Sequence, residues 1–210
     1  MPFAPYDWNA IVLGLWNPGI LTPNGVMTLL FQAPENAELG MEVPMDTVGP
    51  LRLSYNGLVV IPGSRGLVVE PQQPNYDSLH NAIGIAKRAM EQLPLTPVTE
   101  AGFNVRYRLE GECPELISST VSHGIDKSLE AAGFSVVRRV LSRTIRWRGG
   151  IIQADIIKSE AGYAQLTFNF DRKGDRASLI EWLSVKSSEV QEVVGKIIFE
   201  MLGVHIEGII

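Results

Sequence analysis

Cys113 and the three histidines, His80, His123 and His205, are the side chains of this 210-residue chain best suited to nucleophilic or metal chemistry. A thiolate beside an imidazole base is an activated nucleophile, so Cys113 with His80 or His123 is the pairing to weigh. No spacing links them, and a lone cysteine serves equally well as a small buried apolar residue. Glu110, Glu112 and Glu115 surround Cys113, yet a calcium loop needs more oxygen ligands in a recognisable order. They read as a solvated acidic turn. The histidines do not have the spacing of a zinc set. Gly63-Ser64-Arg65-Gly66 has the backbone donors and the cation of a phosphate loop, but a phosphate cradle opens onto a helix N-terminus, and the residues that follow, Leu67 to Glu70, read as a strand. A β-turn accounts for the string. The phosphate-loop, dinucleotide, zinc-protease, paired-cysteine and serine-elbow signatures are all missing. No catalytic residue, metal or cofactor is assigned.

Arginine carries more content. Arg138, Arg139, Arg143, Arg146 and Arg148 lie within eleven residues that hold no acid, the one basic block of the chain. Planar guanidinium groups bind carboxylates and phosphates bidentately. Arg106 and Arg108 on a second strand, with Arg146, Gln153, Tyr163, Gln165 and Asn169 on neighbouring outward positions, make a polar sheet face on which single-stranded nucleic acid could lie. Two features oppose that use: the chain is acidic, with a net charge of −5, and most aromatics fall on the inward phase. Exposed arginines also protect a sheet from pairing with other sheets.

The elements that position these residues follow from periodicity. Ala10 to Trp16 and Val26 to Gln32 are β-rich, and Asn24-Gly25 between them is a hairpin signal. Residues 33 to 49 show no period and are expected to be loop. Leu51 to Tyr55, Leu58 to Ile61 and Leu67 to Glu70 read as short strands. Leu79, Ile83, Ala86, Met90 and Leu93 have helical spacing, with Asn75 or Asp77 as N-cap and Pro94 as the stop. Phe103, Val105, Tyr107 and Leu109 alternate with polar residues as in a half-buried strand. His123 to Ala132 is a short helix ending at Gly133.

From Ser135 to Trp147 a strand leads into Gly149-Gly150, and with those two glycines as the loop Trp147 faces Ile152 and Arg143 faces Ile156. Leu141, Ile145, Trp147, Ile152, Ala154 and Ile156 then share a dry face. Arg139 and Arg143 fall in phase with that face, which calls for a β-bulge or an arm extending past the core. After a turn near Glu160-Ala161-Gly162, Ala164, Leu166, Phe168 and Phe170 point inward from a third strand. Helical positions follow around Leu179 to Leu183. A longer helix runs from Glu189 to Leu202, with Ser188 and Gln191 fitting a capping box and Gly203 ending it. The terminal segment Val204 to Ile210 alternates and could add a strand to its own sheet or a neighbour's.

The sum is an α+β fold, mostly antiparallel sheet with two long amphipathic helices on one face. Two halves differ in construction: an acidic, proline-rich lobe over residues 1–112 and a meander-plus-helix lobe over 113–210 that is proline-free after Pro114. Residues 1–100 hold 4 Lys or Arg against 9 Asp or Glu, and the remainder 14 against 14. Two similar lobes from a duplicated unit fit the pattern of elements, though no residue-level repeat supports it. No apolar run approaches the roughly 20 residues of a membrane helix, and no secretion signal opens the chain. With one cysteine, a reducing cytoplasm is the expected setting. The expected function is a non-enzymatic interaction or assembly protein that binds a protein partner, or itself, through the arginine-rich hairpin and an edge strand. Binding of RNA or single-stranded DNA by the sheet is the alternative, and a small-molecule binder or enzyme without a recognisable motif is the third.

Overall fold

Period-two alternation dictates the centre of the molecule: Phe103, Val105, Tyr107 and Leu109 are buried, while Asn104, Arg106 and Arg108 between them are not. The computed structural model describes residues 3–44, 49–109, 115–159 and 163–203. Within them ten strands form one sheet: β1 (Phe3–Pro5), β2 (Asn9–Gly14), β3 (Gly40–Glu42), β4 (Arg52–Tyr55), β5 (Leu58–Pro62), β6 (Gly66–Pro71), β7 (Val98–Leu109), β8 (Arg138–Trp147), β9 (Gly150–Ser159) and β10 (Ala164–Lys173). The order is β3-β4-β5-β6-β2-β7-β10-β9-β8, with β1 paired to the end of β7. Every pairing is antiparallel. The helices are α1 (Pro23–Gly25), α2 (Tyr76–Gln92), α3 (Glu115–Val121), α4 (Gly124–Ala131), α5 (Arg176–Trp182) and α6 (Ser187–Leu202). The fold is α+β, and none of the described helices is long and apolar enough to cross a membrane.

The helices collect on one face of the sheet. α2 rests on β2 and β6 and meets α6, α5 rests on β7 and β10, and α3 lies against β8 and β9. Leu79, Ile83, Ala86 and Met90 give α2 its buried stripe, and Val190, Val194, Ile197 and Ile198 give α6 its own. Each of the larger side chains, Ala86 apart, contributes about 1.5–3 kcal/mol when fully buried. Asn75 caps α2 reciprocally with Ser78, its Oδ1 accepting from the Ser78 N–H at 2.8 Å. Phe103 and Phe170 stack at 4.4 Å, and Trp147 and Trp182 close over them edge-on to each other at 5.4 Å. These rings tie the tip of the β8–β9 hairpin to the middle of the sheet.

One order of elements occurs twice. β2 leads through α1 into the meander β4-β5-β6 and then α2, and β6 returns to pair with β2. β7 leads through α3 and α4 into the meander β8-β9-β10 and then α5 and α6, and β10 returns to pair with β7. The two four-stranded sets join back to back where β2 pairs with β7. In the order of elements the repeat begins anew between α2 and β7. There Arg176 donates from its guanidinium to the carbonyls of Met90 and Thr96, clamping the second set to the end of the first.

Several local expectations are corrected. Val26 to Gln32 is not a strand and Asn24-Gly25 is not a hairpin turn: Thr22 caps a helical start by accepting from the Gly25 N–H at 3.2 Å, Pro23 takes the first helical position, and a π-helical turn spans Val26–Phe31. Thr-Pro is a helix-start signal, and Val26 and Leu30 gain burial on the same side. Residues 33–49 include the edge strand β3, and β1 and α3 are additional elements. The β8–β9 loop is Arg148-Gly149, not Gly149-Gly150, so Trp147 pairs with Gly150 and Arg143 with Ala154. That shift of two preserves the face of every strand residue, since side chains alternate with period two. Arg148 and Gly149 both have positive φ, 48° and 79°, as a tight hairpin turn of the favoured hand requires. No bulge interrupts the β8–β9 ladder. The Ser188–Gln191 capping box does not form, because α6 begins at Ser187 with Lys186 as an N-cap that makes no side-chain bond. Cys113, Glu110, Glu112, the turn at Glu160 to Gly162 and the segment Val204 to Ile210 with His205 lie outside the described residues.

Candidate functional site

The sheet has one dry face and one wet face, and the wet face carries the polar residues singled out by alternation. Register places Asn9 opposite Asn104, Asn104 opposite Asn169, Asn169 opposite Gln153 and Gln153 opposite Thr144. A row of side-chain amides therefore crosses β2, β7, β10 and β9, and Asn104 Nδ2 donates to Asn9 Oδ1 at 2.6 Å. No described helix covers it. Beside this row Gly102 leaves a depression: a Cβ there would come within 2.3 Å of the Phe170 carbonyl oxygen. A shallow cavity of 280 Å³ occupies the depression, with Asn104, Gln153, Asn169, Glu100 and Asp171 in its wall.

A larger cavity of 690 Å³ adjoins it at the β8–β9 turn and shares Ile151 and Asp171 with it. Arg146, Arg148, Arg172 and Lys173 line it, with Asp171 as the one carboxylate in the wall. Gly150 forms part of that wall because a Cβ there would meet the Trp182 ring at 2.9 Å and the Asp171 carbonyl at 2.5 Å. Burial, followed by the hydrogen bond to Glu100 and its negative charge, pushes the Asp171 carboxyl up to about 6, with Lys173 and the Arg172 N–H opposing in part. The indole Nε1 of Trp182, under the turn, is a buried donor without an acceptor among the described residues.

The arginine block does not gather on one wall. Arg138 and Arg146 are on the wet face, Arg139 and Arg143 on the opposite side, and Arg148 in the turn. Arg139 resolves its own phase problem by meeting α4: its Nε lies 2.7 Å from Asp126 and its Nη2 2.9 Å from Glu130. That guanidinium holds the Asp126 carboxyl below its ordinary range, aided by the backbone N–H of His123. Arg148 pairs with Glu189 of α6. Among the described residues no carboxylate forms an ion pair with Arg138, Arg143 or Arg146.

On the proposed nucleic-acid face, Arg106 is held by Asp7, and Arg108 lies over Tyr6 at 4.5 Å and Tyr163 at 5.6 Å. Gln165 is opposite Arg108 in the register, and Thr167, which joins this face, is opposite Arg106.

His123 is an N-cap, its Nδ1 accepting from the Ile125 N–H at 3.4 Å, and His80 is exposed on α2. Gly63–Gly66 is the turn between β5 and β6, closed by the Gly63 N–H to the Gly66 carbonyl at 2.9 Å. Among the described residues no three His, Cys, Asp or Glu side chains converge on a metal position.

No known family model and no curated protein matches this chain. Its geometry carries the argument alone.

Sequence reasoning found the short helix between the halves but not that its apolar side is left uncovered. None of the residues of α4 is buried, although Ile125 and Leu129 are spaced one turn apart on one side of it. Ile125 is 60% exposed, Phe134 64% and Val137 61%. Phe134 is drawn back to the helix end by its N–H, which donates to the Leu129 carbonyl at 3.0 Å. Next to α4 lies β8, ten residues long, the last strand of the sheet. Among the described residues nothing pairs its outer edge. The signal was in the sequence: Ile125 and Leu129 are four residues apart on one side of a short helix, and Phe134 follows its end.

Proposed function

We propose that this chain is a non-enzymatic interaction protein that binds an extended acidic segment of a protein partner along β8, with α4 holding the partner's apolar side chains. The observation that carries this reading is the pairing of an unburied amphipathic helix with a free strand edge. Soluble chains cover such edges or blunt them with charge, and a row of unpaired backbone groups is a template for strand addition. β8 has four arginines and no acid, and Arg138, Arg143 and Arg146 lack carboxylate partners among the described residues, so an incoming strand gains by supplying acids. A second copy of β8 fits poorly, because each strand would bring four arginines to the same seam and like charges across a pair are destabilising.

Fluorescence anisotropy of a labelled short peptide that alternates glutamate and valine tests the proposal. Saturable binding is expected, weakened at least about tenfold, or ~1.4 kcal/mol, by Arg138→Glu with Arg143→Glu and by Leu129→Ser with Phe134→Ser. Absence of binding, or binding indifferent to both pairs of changes, overturns it. A self-association that the arginine reversals abolish would also overturn it, since the edge would then belong to a second copy.

A further inference from the structure

We infer that the cavity at the β8–β9 turn is a binding site for a small polar molecule bearing an anionic group, its phosphate or carboxylate among Arg146, Arg148, Arg172 and Lys173 and its uncharged body over the Asn104–Asn169–Gln153 amides. The site shares only Arg146 with the β8 edge.

Three observations support it. The cation-lined cavity and the amide-lined depression share Ile151 and Asp171, so they form one groove with two chemically distinct ends. The larger part, at 690 Å³, is within the range of small-molecule sites.

The cations are incompletely compensated. Arg172 has a side chain only 18% exposed, yet its carboxylate partner Glu181 is 3.5 Å away and itself 71% exposed. Its remaining bond is a long one, 3.4 Å to the Arg148 carbonyl. A guanidinium presents five donors in a fixed fork, and most of Arg172's are left for a ligand. Lys173 reaches Glu100 only at 3.5 Å, and Arg146 has no carboxylate partner among the described residues. Glu181, the exposed partner of Arg172, can swing into water when a better-placed anion enters, while Arg148 keeps its pair with Glu189 and lends the site its charge.

The turn itself breaks a local rule. Its first central position has φ 48° and holds Arg148, where asparagine, aspartate or glycine is the usual occupant. The left-handed conformation is disfavoured for a residue with a Cβ. Departures of this kind concentrate at functional sites, and here the departure sets a guanidinium at the cavity mouth.

Isothermal titration of the full chain with inorganic pyrophosphate in one arm and citrate in the other is the test, since it separates a phosphate from a carboxylate source. Saturable binding of at least one is expected at moderate salt, weakened about tenfold by Arg146→Ala or Lys173→Ala and unchanged by Arg138→Ala with Arg143→Ala. Arg146 and Lys173 are surface side chains, so loss of binding would not report loss of fold. The inference is overturned if neither anion binds saturably, or if the cavity variants and the edge variants weaken binding equally, which is the behaviour of net charge alone. Failure of the acidic peptide to bind β8 would leave these outcomes untouched.

Discussion

Replacing Asp171 by asparagine should stabilise the protein at neutral pH and do nothing in acid. The carboxyl sits in the wall shared by the two cavities, and burial together with Glu100 pushes it up to about 6 from an ordinary 3.8, against the opposing pull of Lys173 and the Arg172 N–H. A native state that binds this proton more tightly than the unfolded chain has its full stability below about pH 4 and loses it as pH rises through about 6. At about 1.36 kcal/mol per unit, a fully shielded group would cost ~3 kcal/mol at neutrality. Asp171 is half-buried, and solvent screening brings the expected figure to about 1 kcal/mol. Asparagine has the shape of the protonated acid, can donate to Glu100 through Nδ2 and never ionises.

The variant minus wild-type stability should therefore be near zero below about pH 4, climb between about 4 and 6, and level off near 1 kcal/mol, or about 2–4 °C in Tm for a chain of this size. Urea unfolding followed by tryptophan fluorescence over that range measures it, with Trp147 and Trp182 close to the site. A difference that stays flat with pH, or a wild type that gains on the variant as pH rises, refutes the reasoning.

Arg139→Ala should free α4 from β8, seen as faster hydrogen exchange over Gly124–Ala131 with little change in α2, because the ion pairs to Asp126 and Glu130 are the described side-chain links between that helix and the sheet. Gly102→Val should destabilise the chain by about 1–3 kcal/mol or more in chemical unfolding, since the added carbons must displace strand β10. Leu129→Ser with Phe134→Ser should leave Tm nearly unchanged, within about 0.5 kcal/mol of wild-type stability, because neither side chain belongs to the buried core. In an alkaline absorbance titration Tyr76, pushed up to about 12 by burial, and Tyr107, pushed up further, should stay protonated near pH 10 where free tyrosine ionises.

The strands and helices that alternate or repeat cleanly were legible. β7, β9, β10, α2 and α6 each bury most of the residues that periodicity points to, and β8 half-buries Leu141, Ile145 and Trp147, since burying one face is what stabilises them. The two-residue error in the β8–β9 loop shows the limit: glycine pairs mark a turn but do not say which residues occupy its two centres, and here a side chain was tolerated where glycine was expected. Val26 to Gln32 departs for another reason, as a short apolar run carries no period long enough to tell strand from helical turn, and Thr22-Pro23 is the better guide. The duplicated order of elements is invisible in residues because packing constrains apolar phase and not identity. The cavity drew on residues from three strands whose proximity follows from register, and register is a property of the whole sheet.

The join between β2 and β7 also bears on synthesis. The first set of strands and its helix leaves the ribosome before β7 exists, so β2 has one backbone edge unsatisfied until Val98–Leu109 follows, and β7 then waits in turn for β10. Exposed edges of nascent chains are where misassembly begins. The acidity concentrated in the first hundred residues gives waiting copies a mutual repulsion over that interval.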